Sequence, residues 1–202
     1  MTRAGMLNLI ARLRMLTQAG QSDFTLNGEN YFSNDHLQDI LDQNVTYLVN
    51  EPLVWQPDII SGGTVEYHTC YAGYRDFEEA TSGTAYWAVR TSAGDLAGTA
   101  DYTADYGEGR ITFTTDQAGT AYYLTARSYD IYSAAADVWL VRQSFYSTAY
   151  SFSSDGQQFD RQALFDHAVV MEKQMRSRAG QNRGRGALRK ARFVRADVNP
   201  SE

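Results

Sequence analysis

This sequence has little cysteine, little proline and no long apolar run. Cys70 is the only cysteine in 202 residues. No intrachain disulfide and no thiolate metal cage can come from one chain, and a reducing, intracellular site of synthesis fits best. No apolar stretch is long enough to cross a membrane. Arg12 and Arg14 break the apolar segment near the start, so it does not read as a signal peptide. The three histidines, His36, His68 and His167, are scattered. His68-Thr-Cys70 could put two side chains on one strand face, but without a further cluster a packed strand is the plainer reading than a metal site. No nucleophile elbow, P-loop or dinucleotide fingerprint occurs. No catalytic role, no cofactor and no metal is therefore expected.

Acidic charge is missing from one stretch, and there the sequence becomes informative. Residues 173–195 hold Lys173, Arg176, Arg178, Arg183, Arg185, Arg189, Lys190, Arg192 and Arg195, which is 9 of the 18 Lys+Arg, with no Asp or Glu between them. Residues 1–172 carry the other 9 bases against 22 acids, a net of −13, while residues 173–202 stand at +7. A body of one sign with a terminal arm of the other points to a partner outside the domain.

The chain between these extremes changes character twice. Leu9, Leu13 and Leu16 stand near helical spacing, and Gly20 follows as a stop, so the spacing predicts a helix over 5–18. Asn27-Gly28 is a turn signal between two short apolar pieces. Ser33 is placed to cap a helix and Asp35 to complement its dipole. Leu37, Ile40, Leu41, Asn44, Val45 and Leu48 extend that helix over 34–50, with Pro52 and Pro57 ending it.

Helical periodicity then vanishes over 58–128. Segments at 64–71, 85–90, 100–106, 110–115 and 120–127 read as five strands of a small antiparallel sheet or barrel, with a hairpin turn at Tyr106-Gly-Glu-Gly-Arg110. Most of the 14 tyrosines fall between 67 and 150, which suits half-buried sheet surfaces. Glu78-Glu79 and the Asp101/Asp105 pair could be imagined as acid–base carboxylates or calcium ligands, but they sit by turns, where solvated carboxylates are commonplace. Trp87, Tyr122 and Tyr123 could stack sugar rings, although cross-strand aromatic packing is the plainer role.

Helical spacing returns with Ile131, Ala134, Ala135, Val138, Val141, Phe145, Ala149 and Phe152, giving a helix over 130–152. Ser153-Ser-Asp-Gly-Gln is a polar turn. A last helix over 159–178 turns Leu164, Phe165, Ala168, Met171 and Met175 inward. Beyond Gly180 the residues Arg183 and Arg185 alternate with glycine, and Leu188, Phe193 and Val194 then alternate with Arg189, Lys190, Arg192 and Arg195. A solvated tail, a nucleic-acid clamp and a docking peptide are all open to such a segment. The apolar residues favour an extended peptide laid along a protein groove or sheet edge.

Two stretches resemble a known family. Tyr31-Phe-Ser-Asn-Asp-His-Leu-Gln-Asp-Ile-Leu-Asp is similar to the capped acidic helix entry of bacteriophage head-to-tail adaptor (connector, neck) proteins. The run from Ala134-Ala-Ala-Asp-Val-Trp-Leu-Val through Phe152-Ser-Ser-Asp-Gly-Gln-Gln-Phe-Asp-Arg to Met171-Glu-Lys-Gln-Met-Arg resembles their paired last helices. The resemblance covers the helical parts, somewhat over half the chain, and the order of elements carries more of it than any one motif.

It implies a four-helix adaptor-type bundle from 1–57 and 129–180 and an extended basic C-terminal arm at 181–202; with the strands read above as an antiparallel β module inserted at 58–128, the expected fold class is α+β. It further implies a homo-oligomeric ring, commonly of twelve copies, under the portal protein. Such a ring would sit in the virion neck after synthesis in the host cytoplasm. It would meet the next neck or tail protein and pass genomic DNA without sequence-specific binding. The acidic body suits a channel wall along which DNA slides. The portal-binding arm would be Arg183, Arg185, Leu188, Arg189, Lys190, Arg192, Phe193, Val194 and Arg195. The β segment departs from the compact pattern of such adaptors. Another neck or tail protein (a stopper or a tail-completion protein) and a host-recognition or carbohydrate-binding β module are the alternatives.

Overall fold

The computed structural model describes residues 1–20, 25–26, 29–60, 63–81, 86–147, 152–154, 157–159 and 161–180. Among these the chain is a mixed α+β protein with four α-helices and antiparallel sheets. The order is α1 (Leu7–Thr17), β1 (Thr25–Leu26), β2 (Glu29–Asn30), α2 (Asn34–Gln43), β3 (Val45–Pro52), β4 (Val54–Ile59), β5 (Val65–Tyr71), β6 (Trp87–Thr91), β7 (Tyr102–Asp105), β8 (Arg110–Phe113), β9 (Tyr122–Tyr129), α3 (Ile131–Ser147), β10 (Phe152–Ser154), β11 (Gln157–Phe159) and α4 (Arg161–Arg178).

Helix α1 is entered by a 3-10 turn at Ala4–Met6 and stops at Thr17. The stop is Gln18 in the left-handed region at φ 52°, two residues before the expected Gly20. Arginine side chains satisfy the carbonyls left open there. Arg14 donates to the Ala19 and Phe32 carbonyls at 2.5 and 2.8 Å, and Arg142 of α3 donates to the Gln18 carbonyl at 2.8 Å. Helix α2 starts as expected, with the Ser33 hydroxyl accepting from the His36 amide at 3.2 Å and Asp35 in the first turn.

Its end differs from the expectation of a helix to residue 50. Asn44 closes the helix through its amide to the Leu41 carbonyl at 2.8 Å and its side chain to the Ile40 carbonyl at 3.0 Å. Val45, Thr46 and Val49 then go into strand β3. Val45 and Leu48 stand three apart, as in a helix, but Val45, Tyr47 and Val49 also alternate with Thr46 and Leu48, and the β-branched residues favour the strand. The strands of the two larger sheets therefore begin at Val45 and end at Tyr129, a wider span than 58–128. Pro52 and Pro57 lie inside β3 and β4. Both are edge strands, where a missing N–H costs little, and Pro57 sits at a register shift between Gln56 and Asp58.

The five expected strands are all present, as β5 to β9. They form a three-stranded sheet, β3-β9-β6, and a four-stranded sheet, β4-β5-β8-β7. Leu48, Cys70, Val89, Ile111, Phe113 and Leu124 come from both sheets and share one buried cluster. Rings fill much of it. Phe113 and Tyr122 lie 4.8 Å apart, Trp87 meets Tyr106 at 4.7 Å and Phe77 at 5.2 Å, and Trp55 touches both Phe113 and Tyr122. The β7–β8 hairpin needs its glycine. Gly109 holds φ +67°, and a Cβ there would overlap the Tyr74 carbonyl oxygen.

The second buried cluster is helical. It takes Met6, Leu9, Ile10 and Leu13 from the first helical segment, Leu37, Ile40 and Leu41 from α2, and Ala168 and Met175 from α4. Helix α3 runs through its centre with Ile131, Ala134, Ala135, Ala136, Val138 and Trp139. It is shorter than 130–152, and its buried face passes through Trp139 and Arg142, leaving Phe145 42% exposed. Phe152, expected on that helix, belongs to β10, which pairs with β11 through Phe152↔Phe159. Ala149 lies outside the described residues. Helix α4 packs chiefly on α3, with Ala168 and Met175 buried and Leu164, Phe165 and Met171 half-buried.

Candidate functional site

The expected portal-binding residues, Arg183, Arg185, Leu188, Arg189, Lys190, Arg192, Phe193, Val194 and Arg195, lie outside the described residues. Their root is described. Arg176, in the last turn of α4, reaches Glu172 at 3.0 Å and Asp137 of α3 at 3.3 Å, and these partners raise its pKa. Arg178 stands 6.0 Å over the Tyr132 ring. The first part of the basic stretch is therefore bound into the helix pair, where it also complements the dipole of α4. The helix is followed by Gly180 at φ +80°, whose amide donates to the Asp130 carboxylate at 2.6 Å. Asp130 in turn donates its amide to the Asn44 carbonyl at 3.0 Å. The chain thus leaves the described fold beside the end of β9 and the start of β3.

The most concentrated chemistry among the described residues is a buried ionic junction between the two clusters. Glu78 is buried, with only 1% of its side chain exposed. Arg3 donates Nε to Glu78 Oε1 at 2.8 Å, and the Tyr129 hydroxyl donates to Glu78 Oε2 at 2.9 Å. Arg127 approaches the same oxygen at 3.4 Å. Arg3 also grips Asp42 of α2 with two bonds, at 2.8 and 2.6 Å, and its amide donates to Gln38 at 2.7 Å. These bonds raise the Arg3 pKa, the Asp42 bond most of all, while burial and then Glu78 raise that of Tyr129.

A second clasp lies alongside. Arg12 of α1 pairs with Asp76, and Asn8 bonds Glu79. The Glu79 amide donates to the Gly5 carbonyl at 3.1 Å, and a Cβ on Gly5 would overlap the Glu79 carbonyl oxygen. Burial pushes the Asp76 carboxyl up, and Arg12 offsets that only in part. The segment 76–78 is held to β9 as well, through amides of Glu78 and Tyr129 to the carbonyls of Arg127 and Asp76 at 3.1 and 2.9 Å. One short stretch therefore fastens the N-terminal helix to the sheet.

Chemically this constellation holds carboxylates still. Both Glu78 oxygens face fixed donors, so the arrangement reads as a structural joint and presents no base to a substrate. The expectation that Glu78-Glu79 is a solvated turn pair is thus corrected for Glu78, because three donors replace its water. Asp101 and Asp105 do act in turns. Asp101 accepts from the Gly98 amide at 3.1 Å, while Asp105 accepts from the Glu108 amide and pairs with Arg110 at 3.3 Å.

Trp87 and Tyr122 are buried in the β cluster, which leaves them no face for a sugar, and Tyr123 is half-buried between Pro52 and Arg90. The Cys70 thiol is fully buried and its pKa is pushed up to about 12 by burial, so it is not a reactive thiol. His68 bonds Glu66 at 3.0 Å, and that bond raises its pKa. His36 rests near Tyr31, and His167 meets the Trp139 edge. Among the described residues no three His, Cys, Asp or Glu side chains converge as a metal site. None of the helices described is long and apolar enough to cross a membrane.

Sequence reasoning missed Arg3, Asp42, Tyr129 and Arg142. Arg3 and Glu78 are 75 residues apart and Arg3 and Asp42 are 39 apart, so no local spacing connects them. A search against family models, curated proteins and solved structures gave no match for this chain.

Proposed function

We propose that this chain is a structural head-to-tail adaptor of a tailed bacteriophage. In this reading it forms a ring under the portal, extends the DNA channel and joins head to tail. Its helices make an adaptor-type bundle, the strands form a module inserted between the helical pairs, and residues 181–202 are the arm that grips the portal. The observation that carries the reading is the pair α3 and α4. The small-residue start, Ala134-Ala135-Ala136, is fully buried, as close helix packing requires. The pair ends in a basic turn, and the uncompensated basic segment follows at once.

Two further features support it. Leu140, Phe145 and Val170 leave the outer side of α3 and α4 partly apolar, which suits side-by-side packing of copies. The body outside the arm is strongly acidic, which suits a wall that does not hold DNA. Deleting residues 181–202 tests the reading. The full chain should co-sediment with assembled portal rings and the shortened chain should not. Equal co-sedimentation of both would remove the arm's role.

A further inference from the structure

Strands β3 and β4 follow one another with only Leu53 between them, and each is an edge of its sheet. Along this double edge Tyr47, Val49, Val54 and Ile59 each leave more than half of their surface in solvent. Glu51 and Asp58 lie on the same edge, and Glu66 stands opposite Asp58. Among the described residues, Arg127 beside it is turned to Glu78 and stacked near the Tyr47 and Tyr86 rings, and Glu66 is already bonded to His68 at 3.0 Å, which leaves Glu51 and Asp58 as the acids open to a guest. The strip is thus apolar and acidic. Pro52 and Pro57 remove two N–H donors from it, so a guest meets a surplus of carbonyl oxygens.

The complementary guest is in the same chain. Residues 187–195 carry four bases, no acid, and the apolar Leu188, Phe193 and Val194. Guanidinium donors match unpaired carbonyls and carboxylates. The reach also fits. Gly180 is fixed to Asp130, which is itself bonded to Asn44, the residue before β3. Six residues link Gly180 to Ala187 and span about 20 Å when extended. Nine more, at about 3.3 Å each, cover about 30 Å, enough to run along the edge past Tyr47 towards Val54.

We propose that in the isolated chain residues 187–195 lie along the β3–β4 edge of their own molecule, with the apolar side chains on Tyr47, Val49 and Val54 and the bases toward Glu51 and Asp58. This inference does not rest on the portal reading, because it concerns the chain alone. Either can fail without the other.

Hydrogen exchange of the full chain, read by mass spectrometry over residues 45–59, tests it. Compared with native, a Phe193→Glu/Val194→Glu chain should exchange about tenfold faster over that segment. The difference should shrink at high salt and stay the same on dilution. A Val49→Lys/Glu51→Lys chain, altered at exposed or half-exposed positions, should lose the same protection from the other side. Equal exchange in the native chain and both variants overturns the proposal. Protection that fades on dilution also overturns it and assigns the strip to a second copy.

Discussion

The two buried clusters differ in how they are filled. The helical cluster is mostly small and aliphatic, with Ala134, Ala135 and Ala136 letting helices come close and Phe32, Tyr129 and Trp139 as its buried rings. The β cluster relies on rings, with Trp55, Trp87, Phe113 and Tyr122 filling the space between two sheets. One is sensitive to added volume and the other to lost volume. Neither directly explains the joint between them, which is polar. Arg3, Asp42, Glu78 and Tyr129 meet where the aliphatic and aromatic regions end. An apolar contact there would stabilise many relative placements of the two halves, whereas directed bonds select one.

That contrast can be broken at its joint, and the effect expected there is the largest. Glu78→Ala removes the acceptor of Arg127 and of Arg3 Nε and leaves the Tyr129 hydroxyl only its 3.4 Å approach to Asp42, and it should destabilise the fold by about 4 kcal/mol in urea unfolding. Native-like stability in this variant would reduce the joint to decoration. Trp87→Ala removes a ring from the β cluster and should cost about 3 kcal/mol. Trp55 would still report the β cluster and Trp139 the helical one. Fluorescence of that variant, with Trp55 or Trp139 in turn replaced by Phe, then shows whether the halves unfold together. Ala135→Leu overfills the helical cluster and should cost about 2 kcal/mol, while Ala135→Gly should cost less.

The smallest effect lies on the sheet surface. His68 is held by Glu66 and by the Phe113 carbonyl, and its pKa is raised above the ordinary 6.5. A raised pKa stabilises the protonated fold. That stabilisation is complete below pH 6.5 and disappears as pH rises through the folded-state value. NMR titration should place the His68 midpoint above 6.5. The melting temperature of native protein should also fall slightly more between pH 6 and 8 than that of His68→Gln.

Much of this architecture is legible in local pattern. The capped start of α2, strands β5 to β9 and the β7–β8 hairpin follow from Ser33, from alternating Val, Tyr and Thr, and from Gly107 and Gly109. The extent of α2 was not, because the stretch from Val45 to Val49 carries a helical spacing, Val45 to Leu48, and an alternating one, Val45, Tyr47 and Val49, at once. Nor was the buried face of α3, where Arg142 lies inward over Phe32 and Trp139 at 5.6 and 5.0 Å and displaces Phe145 from the core. The ionic joint is invisible for a different reason. Its members come from the N-terminus, α2, the segment after β5 and the end of β9, and only the folded chain brings them together. The basic arm is conspicuous in composition, and its root at Gly180 gives it a starting point beside β3 that the sequence does not reveal.

The proposed role turns on assembly, and native mass measurement reaches it most directly. The full chain should be a monomer alone and should form a closed ring only when the portal ring of the same phage is added. A chain that stays monomeric beside assembled portals would contradict the account, and so would one that closes into rings without them.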